Sequence, residues 1–111
     1  SEELRKAAEN NELAVRLAEA ALRMARSALH LFEENPSDEM LKFLELAMEV
    51  AKMAAELLKA SLKMLKKAAE ERGSDESVKY LADKSRDIMR QITEELKKLE
   101  EEAKRAQKRG S

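Results

Sequence analysis

The chain has 111 residues, of which 43% are hydrophobic and 41% are charged. Its 22 basic and 23 acidic residues give a formal net charge of −1, which excludes the strongly basic balance of a protein that binds nucleic acid or anionic lipid. Without cysteine it has no disulfide framework, thiolate metal site or cysteine nucleophile. No apolar run approaches the ~20 residues of a membrane span, and the acidic start SEELRK differs from a signal peptide.

Two short breaks divide the sequence into three long helical segments. The first is NPS at 35–37, where proline ends a helix and Ser37 predicts the N-cap of the next one. The second follows residue 72, where Gly73 suits a left-handed helix end and Ser74 or Asp75 begins the third helix. We predict α1 over residues 2–34, α2 over 38–72 and α3 over 75–108, each about 33 residues long, in a single domain over 1–109.

The short connections predict an all-α, up-down-up antiparallel three-helix bundle. On a seven-residue grid, α1 and α2 each carry one column of small residues, and the two columns face each other when the chain turns near Ser37. Small side chains there allow the helices to approach to the near end of the usual ~8–10 Å spacing. The facing pairs are Ala28 with Ala47, Ala21 with Ala54, Ala14 with Ser61, and Ala7 with Ala68.

The hairpin of α1 and α2 is apolar on both sides of this seam. Residues 44–65 carry about five apolar or small positions in seven, whereas a helix covered on one side needs about three. We call the two sides face A and face B. Face A comprises Ala8, Val15, Ala18, Leu22, Ala25, Leu29, Phe32, Leu41, Leu44, Met48, Ala51, Ala55, Leu58, Leu62, Leu65 and Ala69. Face B comprises Leu13, Leu17, Ala20, Met24, Leu31, Phe43, Leu46, Val50, Met53, Leu57, Ala60 and Met64.

The third helix can cover only one of these faces, because it has a single apolar stripe near three in seven. Face A has alanines at 18, 25, 51 and 55, which leave room for Ile92 and Leu96, whereas face B becomes polar at its ends. We therefore predict that α3 covers face A and that face B stays open. The alternative is that supercoiling and side-chain reach let three helices bury both faces. The α3 stripe is Val78, Leu81, Ala82, Ser85, Ile88, Met89, Ile92, Leu96, Leu99, Ala103 and Ala106.

An open face B of roughly 500 Å² would reach the size of the largest patch on a typical monomer, which predicts a partner. A groove between two helices suits an amphipathic helix from another molecule, and methionines adapt to such a surface, although they also fill ordinary cores. Three alternatives stay open: a homodimer through the same face, a plain monomeric scaffold, and a small-molecule pocket between helices. The predicted anchors are Leu13, Leu17, Met24, Leu31, Phe43, Leu46, Val50, Met53, Leu57 and Met64.

The sequence offers little for catalysis or metal binding. His30 is the only histidine and lies in a polar column of α1, so we predict a solvated side chain rather than a ligand or base. We predict no enzyme activity, cofactor or metal. Asn10 and Asn11 interrupt apolar columns of α1, and they either set the helix register or meet a polar group of a partner.

The chain has the start SEE, the turns ENPSDE and ERGSDES, a surface of Ala, Glu, Lys, Leu and Arg, and the final Gly110-Ser111. With these features it resembles de novo designed helical bundles, especially designed miniprotein binders. Gly110-Ser111 is similar to the linker remnant of such a protein. The resemblance covers the whole chain as a style of sequence. It implies an engineered protein made to bind a helical peptide or protein segment, without identifying the target.

Overall fold

The computed structural model describes residues 2–72 and 76–110, and they form three long α-helices. These are α1 (Glu2–Glu34), α2 (Asp38–Arg72) and α3 (Glu76–Gly110), which confirms the predicted all-α three-helix bundle. The helix α3 ends at Gly110 and not at the predicted 108, a difference within the usual spread of a helix end. The predicted turn at Gly73 and the predicted α3 start at 74 or 75 lie outside the described residues.

The break between α1 and α2 has the predicted cap. The Met40 N–H donates to the Ser37 hydroxyl oxygen at 3.2 Å, and the Leu41 N–H donates to the Ser37 carbonyl at 2.9 Å. The Asn35 N–H, in turn, donates to the Leu31 carbonyl at 3.0 Å. The Ser37 hydroxyl thus pairs an N–H that the start of α2 would otherwise leave unpaired, while the other two are the last helical bond of α1 and the first of α2. The chain therefore reverses direction within a few residues.

The helices α1 and α2 approach each other more closely along their length than either approaches α3. The cause is the seam of small residues, because every member of both columns is buried and none is more than 8% exposed. Side chains this small let the two backbones come together, and the hairpin is therefore the most closely packed part of the bundle.

A buried polar contact fixes the register of the hairpin. Asn11 is 1% exposed and donates through Nδ2 to the Ser61 Oγ at 3.2 Å, while Ser61 donates to the Leu58 carbonyl at 2.9 Å. Sliding one helix along the other would separate these groups, at a cost of roughly 1–3 kcal/mol for each buried group left unpaired. Asn11 therefore sets the register, whereas Asn10 lies exposed.

The third helix packs on face A, as predicted. Ile92 and Leu96 are buried in one cluster with the alanines at 18, 25 and 51. All eleven residues of the α3 stripe are buried or half-buried. An Arg109–Glu33 ion pair of 3.4 Å and an Arg26–Glu102 ion pair of 3.6 Å join α3 to α1. Both pairs place the C-terminal half of α3 beside that of α1, which gives the up-down-up order.

Candidate partner-binding surface

Face B is open along the whole hairpin. All ten large apolar residues predicted as anchors are exposed, from 41% for Met24 to 69% for Met53. Within residues 2–72 and 76–110, Tyr80 of α3 is the one other large hydrophobic residue exposed to this degree. The anchoring role of the ten residues stays a prediction, but their positions give the surface that this role requires.

Adjacent residues of α2 show how sharply the two faces differ. Leu58 lies on face A and is fully buried, whereas Leu57 lies on face B and is 51% exposed. Both are leucines in the same turn of the same helix, so only their direction differs. The position of α3 on face A therefore decides which residues reach solvent.

Face B has two kinds of column. The inner columns, next to the seam, hold only large side chains over the central part of the hairpin. The outer columns alternate large and small, since Ala20, Ser27 and Ala60 are exposed among larger residues. The inner residues are Leu17, Met24, Leu31, Phe43, Val50, Leu57 and Met64. The outer residues are Leu13, Ala20, Ser27, Leu46, Met53 and Ala60.

The apolar area of face B is large for a single small protein. Ten large residues, each about half exposed, present on the order of 1,000 Å² to solvent, against roughly 300–600 Å² for the largest patch of a typical monomer. This is more than the sequence alone predicted, because even the inner columns remain well exposed. A surface of this size is comparable to one partner's share of a standard protein–protein interface, about 800 Å².

Charged residues of opposite sign border face B at mid-length. On α1 the border carries Arg16 and Arg23, and on α2 it carries Glu49 and Glu56. All four are exposed. Arg16 lies 2.6 Å from the Glu12 carboxylate. Exposed pairs within one helix contribute only about 0.3–0.5 kcal/mol, so these side chains can exchange partners at small cost.

The histidine and the other ionisable groups away from face B take part in ordinary surface interactions. His30 is exposed, with its Nδ1 3.5 Å from the Glu33 carboxylate, as expected for a solvated side chain. The pKa of Arg5 is raised, first by its hydrogen bond to Glu2 and then by the nearby charge of Glu9. Across the described ranges, no group of three or more His, Cys, Asp or Glu is arranged to hold a metal ion.

Two shallow clefts lie beside α2 and α3. Lys52 and Glu100 contribute to both clefts, which measure about 580 and 640 Å³. Each is open to solvent and bordered by several charged side chains, in contrast to the enclosed cavity that the small-molecule alternative requires. The clefts therefore give that alternative little support.

Comparison of the chain with protein-family models, with curated proteins and with solved structures found no match. In the part of the chain that the structure describes, no helix is both long and apolar enough to cross a membrane. The sequence predicted no surface that includes Tyr80, an exposed aromatic residue of α3. It lies outside the α3 stripe, and that position is the signal that separates it from the core.

Proposed function

We propose that this chain is a protein-binding module whose face B accepts an amphipathic helical surface of a partner. The observation that carries the proposal is the exposure of all ten large apolar residues on one side of a closely packed hairpin. The module performs no chemistry of its own in this proposal. Its engineered origin, which the sequence style suggests, is part of the same proposal.

The energetics favour an occupied face B. Covering about half of the ~1,000 Å² would contribute roughly 12 kcal/mol of transfer free energy at ~25 cal/mol per Å². Association costs an estimated 4–15 kcal/mol in lost freedom, so the transfer free energy exceeds this cost over most of that range. The hairpin also needs no ordering on binding, because the seam and the core under α3 already hold it.

The test is the binding of a labelled synthetic helix with leucine at heptad positions a and d, followed by fluorescence anisotropy. We expect saturable binding to the unmodified chain and at least a tenfold weaker affinity for Met53→Glu, because burying a carboxylate in the apolar contact costs more than ~1.4 kcal/mol.

The matched control is Gln91→Glu, which adds the same charge on the exposed side of α3. It should bind the synthetic helix as the unmodified chain does. The proposal fails if the chain stays monomeric and the synthetic helix does not bind, or if both variants bind it equally well.

A further inference from the structure

The features of face B bear on what occupies it. We propose that two copies pair face B to face B about a two-fold axis parallel to the bundle, so that α1 of each copy lies antiparallel to α2 of the other. This inference rests on the proposed function and specifies its partner. Four α1 and α2 helices would then form a shared core, with α3 of each copy on the outside.

The size of the inner residues favours a pair of helices over a single helix as the occupant. At ~8–10 Å between axes, the centre of three packed helices lies about 5 Å from each axis, but the centre of four lies about 6–7 Å away. On face A, where one helix packs, the inner columns include alanine at 18, 25 and 51. The inner columns of face B hold nothing smaller than Val50 between Leu17 and Leu31. Such side chains fill the wider centre of a four-helix arrangement.

The charged borders match under the same two-fold axis. An axis parallel to the bundle keeps every residue at its own level, and the Asn11–Ser61 contact shows which residues of α1 and α2 are level. Counting along the antiparallel helices from that contact puts Glu56 within a turn of Arg16, and Glu49 within a turn of Arg23. Basic residues of one copy therefore meet acidic residues of the other on both sides of the interface.

The other two-fold arrangement, with the axis across the helices, reverses this match. It would bring Arg16 to Arg23 of the other copy, and Glu49 to Glu56. Like charges in contact oppose association, so the borders favour the parallel axis.

The outer columns give a second, independent match. With every residue kept at its own level, each large residue meets a small one within a turn of the helix: Leu13 with Ala60, Met53 with Ala20, and Leu46 with Ser27. Alternation of large and small side chains lets facing layers interdigitate without voids. The inner and the outer columns of face B thus both suit the hairpin of a second copy.

The ends of face B oppose the pairing slightly. Lys6 would approach Lys67 of the other copy, and Glu34 would approach Glu39. These residues are exposed, and exposed charges at the edge of an interface are screened by salt and worth ~1 kcal/mol or less. The apolar area between them, near the ~800 Å² per partner of a standard interface, outweighs that cost.

The experiment measures the dimer dissociation constant of border variants by analytical ultracentrifugation. Arg16→Glu with Arg23→Glu should weaken the dimer by about 10- to 100-fold, because several exposed charge pairs become repulsive at once. Glu49→Arg with Glu56→Arg should weaken it similarly. A mixture of the two double variants should form a heterodimer, and the variant with all four changes should recover the affinity of the unmodified chain. Circular dichroism checks that each variant is helical.

Engineered cysteines give a second measurement, which suits a chain without natural cysteine. A mixture of Leu13→Cys and Ala60→Cys should form a mixed disulfide, whereas a disulfide between two Ala20→Cys chains would indicate the axis across the helices and overturn the arrangement. A dimer unaffected by the charge reversals would overturn it too. An unmodified chain that stays monomeric but binds the synthetic helix would refute the dimer and leave the proposed function standing. A monomer that binds neither would refute both.

Discussion

Replacing Leu17 and Leu57 together by glutamate is expected to abolish association through face B while leaving the chain fully helical. Both residues lie in the inner columns and are 47% and 51% exposed in the single chain. Glutamate is therefore solvated in the monomer and is also a good helix former. In an occupied face B the same two carboxylates would be buried without partners, which costs several kcal/mol each. The measurements are circular dichroism, for the helix content, and sedimentation equilibrium, for the mass.

The control adds the same two charges elsewhere. Gln91→Glu with Thr93→Glu changes two exposed positions of α3, away from face B, and it should leave association unchanged. If the Leu17 and Leu57 variant unfolds instead, face B is a buried core in solution. That result would contradict the assignment of α3 to face A.

Replacing Leu58 by alanine is expected to lower the free energy of unfolding by about 2–5 kcal/mol, because Leu58 is fully buried on face A, the side of the hairpin that α3 covers. The same change at the adjacent Leu57 should lower the unfolding free energy of the single chain by only about 1 kcal/mol or less, because half of that residue is already exposed and alanine favours the helix. Urea unfolding with unchanged m values gives both numbers.

The comparison is made in the Leu17→Glu background, so that loss of association does not enter the unfolding free energy. Two leucines in one turn of one helix then report separately on the two faces. Similar losses at both positions would mean that both faces are buried, and the distinction between face A and face B would be wrong.

Much of the fold follows from local features of the sequence. Pro36 and Ser37 fix the first turn, and the cap at Ser37 has the predicted hydrogen bonds. The facing of the two small columns follows from the seven-residue grid. A short turn fixes the register of two antiparallel helices, and that register places Ala14 opposite Ser61. The burial of these columns confirms the seam.

Other features depend on packing that a grid does not contain. The position of α3 on face A follows from the fit of Ile92 and Leu96 to the alanines there, and the grid alone left burial of both faces open. The role of Asn11 stayed open for a similar reason, because its hydrogen bond to Ser61 crosses from one column to another. The partner of face B is a separate molecule. A single sequence therefore indicates the partner only through the charges that border face B and the sizes of the side chains on it.

The most direct test of the account is the mass of the unmodified chain by sedimentation equilibrium, across concentrations from about 1 to 100 μM. We expect the mass to rise from the 12.6 kDa of one chain towards twice that value, and to stop there, because a two-fold pairing uses up face B on both copies. A mass of 12.6 kDa throughout would contradict self-pairing. If, in addition, the synthetic amphipathic helix does not bind at the highest concentration, face B is no docking surface and the account is wrong.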